Sequence, residues 1–472
     1  MGLDPPARRV PCDRPEPGCA LGRDDVPAIP DPVEPLPRGD RHRAGDALAR
    51  GGRELAGERL ELRVLDGEAH GTTLPLPAPG PVDHPAADDE PADVDADPRT
   101  TIAGQARSIA AAWSPPDAPP SWWLTAATFT AIAEDDALLD LAATIPFDRL
   151  PPLLLSAAIR YHLDDRGPPE LRRYYPSPGG SQRPPDGGFR PALRGFASSE
   201  AKALTDLCRQ HRYQMTEVAR CLDLLPALAT IAAEDPRTIA LVDLGTGAGL
   251  GLHPDRYHCT YRLPDGTALT AGDEHSPVHL SCDVRGALPP PRVPAIAARL
   301  GVDVEPLDLA DERTARWLAA CVPPEVDAVT RFSAAVDVAR QHPAPTLRGD
   351  LVDVLPAVVE RTPPGALLVL VDTYVHVFLP PGRLAAFRAG VDRLGRRTDL
   401  EWVSVDPLVP LGPAPTGTVQ GLDVPPGWLE EDRVFGVIGR VGYRGGERHE
   451  QLLGRAHPGA AWLEWTPDGR QR

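Results

Sequence analysis

Between Leu241 and Gly249 the chain reads Leu-Val-Asp-Leu-Gly-Thr-Gly-Ala-Gly, an apolar run that ends in an acid and three alternating glycines. This order calls for a buried strand whose carboxyl end turns sharply: Gly245 accepts φ > 0, and Gly247 places no Cβ where the backbone would meet a ligand. Asp243 then stands at the edge where open α/β sheets receive small molecules. Ala366 to Val371 is a second near-continuous apolar run, as a central strand covered on both faces requires. After Pro236, apolar runs alternate with helical patterns. The expected fold is α/β. A helical N-terminal domain (101–236) precedes a Rossmann-like, mostly parallel sheet (237–472) with an antiparallel C-terminal hairpin and a β insertion at about 256–285.

Glycine spacing narrows the ligand class. A dinucleotide loop needs G-x-G-x-x-G, but Leu250 and Leu252 occupy the two places where the last glycine could fall. A nicotinamide oxidoreductase is therefore disfavoured, and an acid at the strand end suits a cationic ligand better than a pyrophosphate. No G-x-S-x-G elbow, H-E-x-x-H pair or P-loop occurs. His253, His258, His275 and His279 with Asp283 match no metal-site spacing, so no metal is expected.

A net charge of −18 argues against nucleic acid and anionic membranes as partners, because phosphate contacts need clustered cations. No run of about 18 apolar residues and no charged-then-apolar leader is present, so a cytoplasmic protein with no membrane contact is expected. Residues 1–100 are dense in Pro, Gly, Asp and Arg, too poor in apolar surface to offset chain entropy, and read as a disordered extension. Within them Glu58 to Leu65 is a weak strand or helix, and Cys12 with Cys19 is a conceivable pair. The seven scattered cysteines read as reduced thiols.

Helical spacing begins at Ile102 with Ala106, Ile109, Ala110 and Trp113 on one face. Further helices are expected from Trp122, after Pro151-Pro152, from Ser199 and from Gln214, with a loop from Tyr174 to Gly188. Strands are expected at Thr238 to Leu244, Tyr257 to Leu263, Thr267 to Thr270 and Val278 to Val284. The last three form the insertion, which would stand beside the glycine loop as a lid or substrate wall. Ile296 to Leu300 reads as helix stopped by Gly301, and Val302 to Asp308 as the next strand.

The acid-x-Gly-x-Gly-x-Gly run resembles the first motif of class I S-adenosylmethionine-dependent methyltransferases. That resemblance implies S-adenosylmethionine as cofactor, with Asp243, Gly245, Thr246, Gly247 and Gly249 under its methionine part. Asp303 and Asp308 become candidates for the ribose hydroxyls and Asp350 for the adenine amino group. Asp372, Tyr374 and His376, after the central strand, are the catalytic candidates. The implied functions are methyl transfer to an unnamed small-molecule acceptor or, alternatively, a catalytically silent methyltransferase-like module that binds a nucleoside metabolite or a protein partner. A narrower likeness is carried by Tyr174-Tyr175-Pro176-Ser177, Gln214 to Cys221, Asp255-Arg256-Tyr257, Gly301 to Asp308, Arg348-Gly349-Asp350, and His457-Pro458 with Trp462 to Trp465. With these motifs the chain, from about 102 to 466, resembles the family called domain of unknown function 2332, which implies no assigned reaction.

Overall fold

The computed structural model describes residues 97–466 apart from 115–121, 177–181, 215–216, 380, 409–417 and 430–434. The expectations for Cys12, Cys19 and Glu58 to Leu65 lie outside these residues. The described residues belong to one compact unit.

Eight helices come first: α1 (Pro98–Ala112), α2 (Trp123–Glu134), α3 (Asp136–Ala143), α4 (Pro151–Arg166), α5 (Pro169–Arg172), α6 (Phe189–Ser199), α7 (Ala201–Gln210) and α8 (Cys221–Glu234). Asp97 and Asp135 cap α1 and α3 by accepting from the Arg99 and Ala137 amides, and α4 begins on Pro151-Pro152, where a missing N–H costs nothing. Helix α6 was not foreseen: Pro191 and Gly195 disguise it, yet Pro191 falls in its first turn, where proline is tolerated. The expected helix from Gln214 starts later, as a short 3₁₀ turn at Val218–Arg220 that leads into α8.

The remaining elements are β1 (Ile239–Leu244), β2 (His258–Arg262), β3 (Ala268–Gly272), β4 (His279–Gly286), β5 (Ile296–Asp303), α9 (Glu312–Cys321), α10 (Val326–Gln341), β6 (Thr346–Arg348), α11 (Leu351–Glu360), β7 (Leu367–Thr373), α12 (Pro381–Gly395), β8 (Leu400–Pro407), α13 (Pro426–Leu429), β9 (Gly436–Arg444), β10 (Glu447–Ala456) and β11 (Trp462–Trp465). One eleven-stranded sheet runs β3-β2-β4-β11-β10-β9-β8-β7-β1-β5-β6. Its half β6-β5-β1-β7-β8 is parallel, and β8-β9-β10-β11 is an antiparallel meander. The mostly parallel α/β fold with an antiparallel C-terminal ending is thus present.

Counting only the five parallel strands in chain order gives 3-2-1-4-5, so the winding reverses between β1 and β7. Both strands are buried along their length, β7 up to Thr373. Their carboxyl ends form the crevice where an α/β sheet binds ligands.

Two expectations need correction. Ile296 to Leu300 is strand, not helix: β5 pairs in parallel with β1, Val242 opposite Leu300 and Asp243 opposite Gly301. Good helix formers such as Ala297, Ala298 and Leu300 are overridden by pairing with a central strand. Gly301 is no helix stop. A Cβ there would lie 2.6 Å from Thr246 Cγ2, so the residue is small because the glycine loop presses on it. The insertion, second, is no separate lid. Its strand β4 pairs in parallel with β11 and extends the same sheet away from the crevice.

Candidate functional site

After β1 the chain turns through Gly245 (φ +73°), Gly247 (φ +55°) and Gly249 (φ +76°), backbone states that a Cβ would strain. Both the Gly245 and Thr246 amides donate to Val302 O, at 2.8 and 3.0 Å, which ties the loop to the end of β5. A Cβ on Gly245 would meet Val375 Cγ2 at 2.6 Å, so the segments after β1 and β7 touch.

A chamber of about 90 Å³ lies at this junction, walled by Asp243, Gly245 to Ala248, Thr373 to Val375, and Gln214, Glu217 and Arg220 from the segment leading into α8. It shares Glu217, Arg220 and Tyr374 with a cavity of about 520 Å³ between the helices and the ends of β7 and β8. That cavity is mostly apolar, with Ile109, Trp113, Phe129, Leu153, Ala157 and Val322 among its walls. Its volume falls in the range of pockets for small organic ligands. No residue of the β insertion lines either chamber.

The sequence candidates separate into three groups. Asp243 lines the small chamber, where its Oδ2 accepts from Thr246 Oγ1 at 2.8 Å. Burial lifts its pKa from 3.8 to about 7 against the Thr246 hydrogen bond, and the Asp303 charge adds to the rise. The second group is engaged elsewhere. Asp303 accepts from the Gly247 amide through Oδ2 and from the Glu305 amide through Oδ1, both at 2.9 Å. Asp308 caps a turn through the Ala310 amide at 2.8 Å, and Asp350 caps α11 while pairing with Arg383. None of these three lines a chamber.

The third group follows β7. Asp372 is buried; it accepts from Trp402 Nε1 at 2.5 Å and lies 2.8 Å from Ser404 Oγ, which is also 3.0 Å from Asp406 Oδ2. A serine has one proton to give, so one of these two contacts needs a donor on the acid side. Burial and the Asp406 charge push the Asp372 pKa well up, whereas contact with His376 outweighs burial at Asp406 and lowers its pKa. Asp372 is therefore the protonated member. His376 Nδ1 stands 2.6 Å from Asp406 Oδ1, and the chain Asp372-Ser404-Asp406-His376 is closed off from both chambers. Only Tyr374 reaches the cleft. It has φ +57° and lies under the Arg220 guanidinium, 4.0 Å from ring centroid to Cζ.

Sequence reasoning did not assemble the large cavity: Thr125, Arg160 and Tyr213 went unnoted, and Tyr175 and Arg220 entered only as family motif residues. They are scattered over five segments, and the one available signal was a cation, Arg160, closing the apolar run Leu153 to Ile159. At the mouth, His457 stacks on Trp122 (4.8 Å) and meets Trp113 edge-on (5.7 Å), which packs the α1 and α2 ends against the turn after β10.

The family described as "Uncharacterized protein conserved in bacteria (DUF2332)" matches residues 103–465. The chain belongs to this family. Several DUF2332 motif residues noted above, Tyr175, Gln214, Glu217, Arg220 and Pro458, line the two chambers. No curated protein matches the chain. Among the described residues no helix is long and apolar enough to cross a membrane.

The buried Asp243 carboxyl gives the cleft a pH signature. Because its pKa is raised, the folded chain holds this proton more tightly than the unfolded one. Its stabilising contribution is complete below about pH 4 and is lost as pH rises through about 7. The expected result is that Asp243→Asn, whose amide oxygen still accepts from Thr246, unfolds in urea at a higher midpoint than wild type at about pH 8 and shows a flatter profile between pH 5 and 8. Parallel profiles for the two proteins would contradict the assignment.

Proposed function

We propose that this chain is a methyltransferase-like small-molecule-binding module whose ligand occupies the joined chambers at the reversal point of the sheet. The observation that carries this reading is the shared wall of Glu217, Arg220 and Tyr374, which sets the glycine-loop chamber beside the 520 Å³ cavity. A ligand there would present a small polar end to the loop and an apolar body to the helices.

S-adenosylmethionine is the cofactor that the loop sequence implies, and the residues fit it only at one end. Asp243, buried and with no cation within ion-pair distance among the described residues, suits a sulfonium or ammonium group. The adenosine end is not matched: Asp303, Asp308 and Asp350 are occupied by backbone amides or Arg383, and the loop chamber of about 90 Å³ is far below what a nucleoside needs. No catalytic step is therefore assigned to the cofactor. The catalytic candidates Asp372 and His376 face each other's neighbours rather than the cleft, which supports the silent reading.

A second reading, methyl transfer from S-adenosylmethionine bound at the loop to an acceptor in the large cavity, is favoured by the adjacency of the two chambers alone. Titration calorimetry with S-adenosylmethionine and S-adenosylhomocysteine separates the two. The silent module predicts no saturable heat from either compound, with wild type and Gly247→Val alike. Saturable binding that Gly247→Val abolishes would overturn it in favour of the methyltransferase.

A further inference from the structure

The large cavity carries a cation with no close ion pair: Asp164, one turn on along α4, and Glu325 act on Arg160 only through space. Arg160, on α4, lines it, and its one side-chain hydrogen bond among the described residues goes to the backbone carbonyl of Val322. No carboxylate of the described residues lies within ion-pair distance of its guanidinium. Glu325 Oε2 is buried without a hydrogen-bond partner among the described residues, and the other carboxylates nearby have contacts of their own. Glu217 caps the Ala219 amide at 2.9 Å and pairs with Arg331 at 3.4 Å, and Asp164 lies out in solvent 4.0 Å from Arg316. Glu325 uses Oε1 to accept from the Thr125 amide at 3.0 Å, and burial lifts its pKa to about 7. Asp148 sits exposed at the rim.

An arginine does not shed its proton to escape burial, so a guanidinium in a mostly apolar cavity is stabilised by an anion brought to it. A second arginine, Arg220, borders the same space with its guanidinium on Tyr374. The walls offer Trp113, Phe129, Leu153, Ala157 and Val322 to an apolar body. A planar carboxylate matches the guanidinium fork in two parallel hydrogen bonds.

We propose that the cavity selects an organic acid, an apolar tail with one carboxylate, and that Arg160 is the residue that recognises the carboxylate. This rests on the reading of the cavity as a ligand site and names the ligand class. Calorimetry of the full chain at neutral pH with octanoate and its neutral counterpart octanol tests it. A hydrogen bond to a charged group sets the expected preference at about tenfold or more for octanoate. Arg160→Gln is expected to abolish that preference while octanol binds as in wild type, which also reports a folded protein. Arg160→Lys, which keeps the charge and loses the fork, should restore part of it. Equal affinity of wild type for the two compounds, or a preference that survives Arg160→Gln, would overturn the proposal and leave the binding reading standing. Failure of both compounds to bind wild type would overturn the proposal too, and titration with anilinonaphthalene sulfonate then decides whether the cavity is a site at all.

Discussion

Arg440→Ala is expected to lower the unfolding free energy by about 3–5 kcal/mol, measured as a shift in the urea midpoint at unchanged slope. Arg440 is 2% exposed on β9, opposite Val403, and Glu401, two positions along β8, is fully buried at 0%. The guanidinium reaches both Glu401 oxygens at 2.9 Å and Glu234 at the end of α8 at 2.6 Å. Removal of the arginine leaves the Glu401 carboxylate with Arg444, 2.7 Å away and part-exposed, and the His449 imidazole at 3.4 Å. The penalty comes from stranding that carboxylate more than from losing an attraction. The double variant Arg440→Met with Glu401→Leu should therefore recover most of the loss, since apolar replacements of buried ion pairs are often neutral. A double variant as weak as Arg440→Ala would refute this account of the pair.

The parts of the fold that were legible in the sequence are those whose pattern is local. β1 and β7 announce themselves because strands covered on both faces are apolar at every position, and the loop glycines mark a turn that only they accommodate. What failed was decided at long range. Ile296 to Leu300 has the composition of a helix and becomes strand because β1 pairs with its backbone. Asp372 looks like a residue aimed at substrate until Trp402 and Ser404, thirty positions on, close over it. Asp303 was read as open for a ribose, whereas the Gly247 amide, from a loop 56 residues earlier, already holds it. The large cavity was not assembled from the sequence, although Tyr175, Glu217, Arg220 and Pro458 stood among the family motif residues, since its walls come from α1, α2, α4, the segment before α8, the end of α9 and the turns after β7 and β10. A lone Arg160 on an otherwise apolar helix face was its one local trace.

The claim on which the account turns is that the space between the helices and the strand ends is a ligand site and not a packing defect. Anilinonaphthalene sulfonate, an apolar aromatic anion that fluoresces when shielded from water, reads this directly. Ala157 is 1% exposed and lines the cavity from α4, so Ala157→Trp fills part of the 520 Å³ with an indole; Ser156→Trp does so from the neighbouring position. Far-ultraviolet circular dichroism shows which variant keeps the fold. The account predicts saturable binding of one dye per wild-type chain, weakened at least about tenfold in the folded tryptophan variant, equivalent to about 1.4 kcal/mol. Dye binding that is absent from wild type, or equally strong once the cavity is filled, would contradict it.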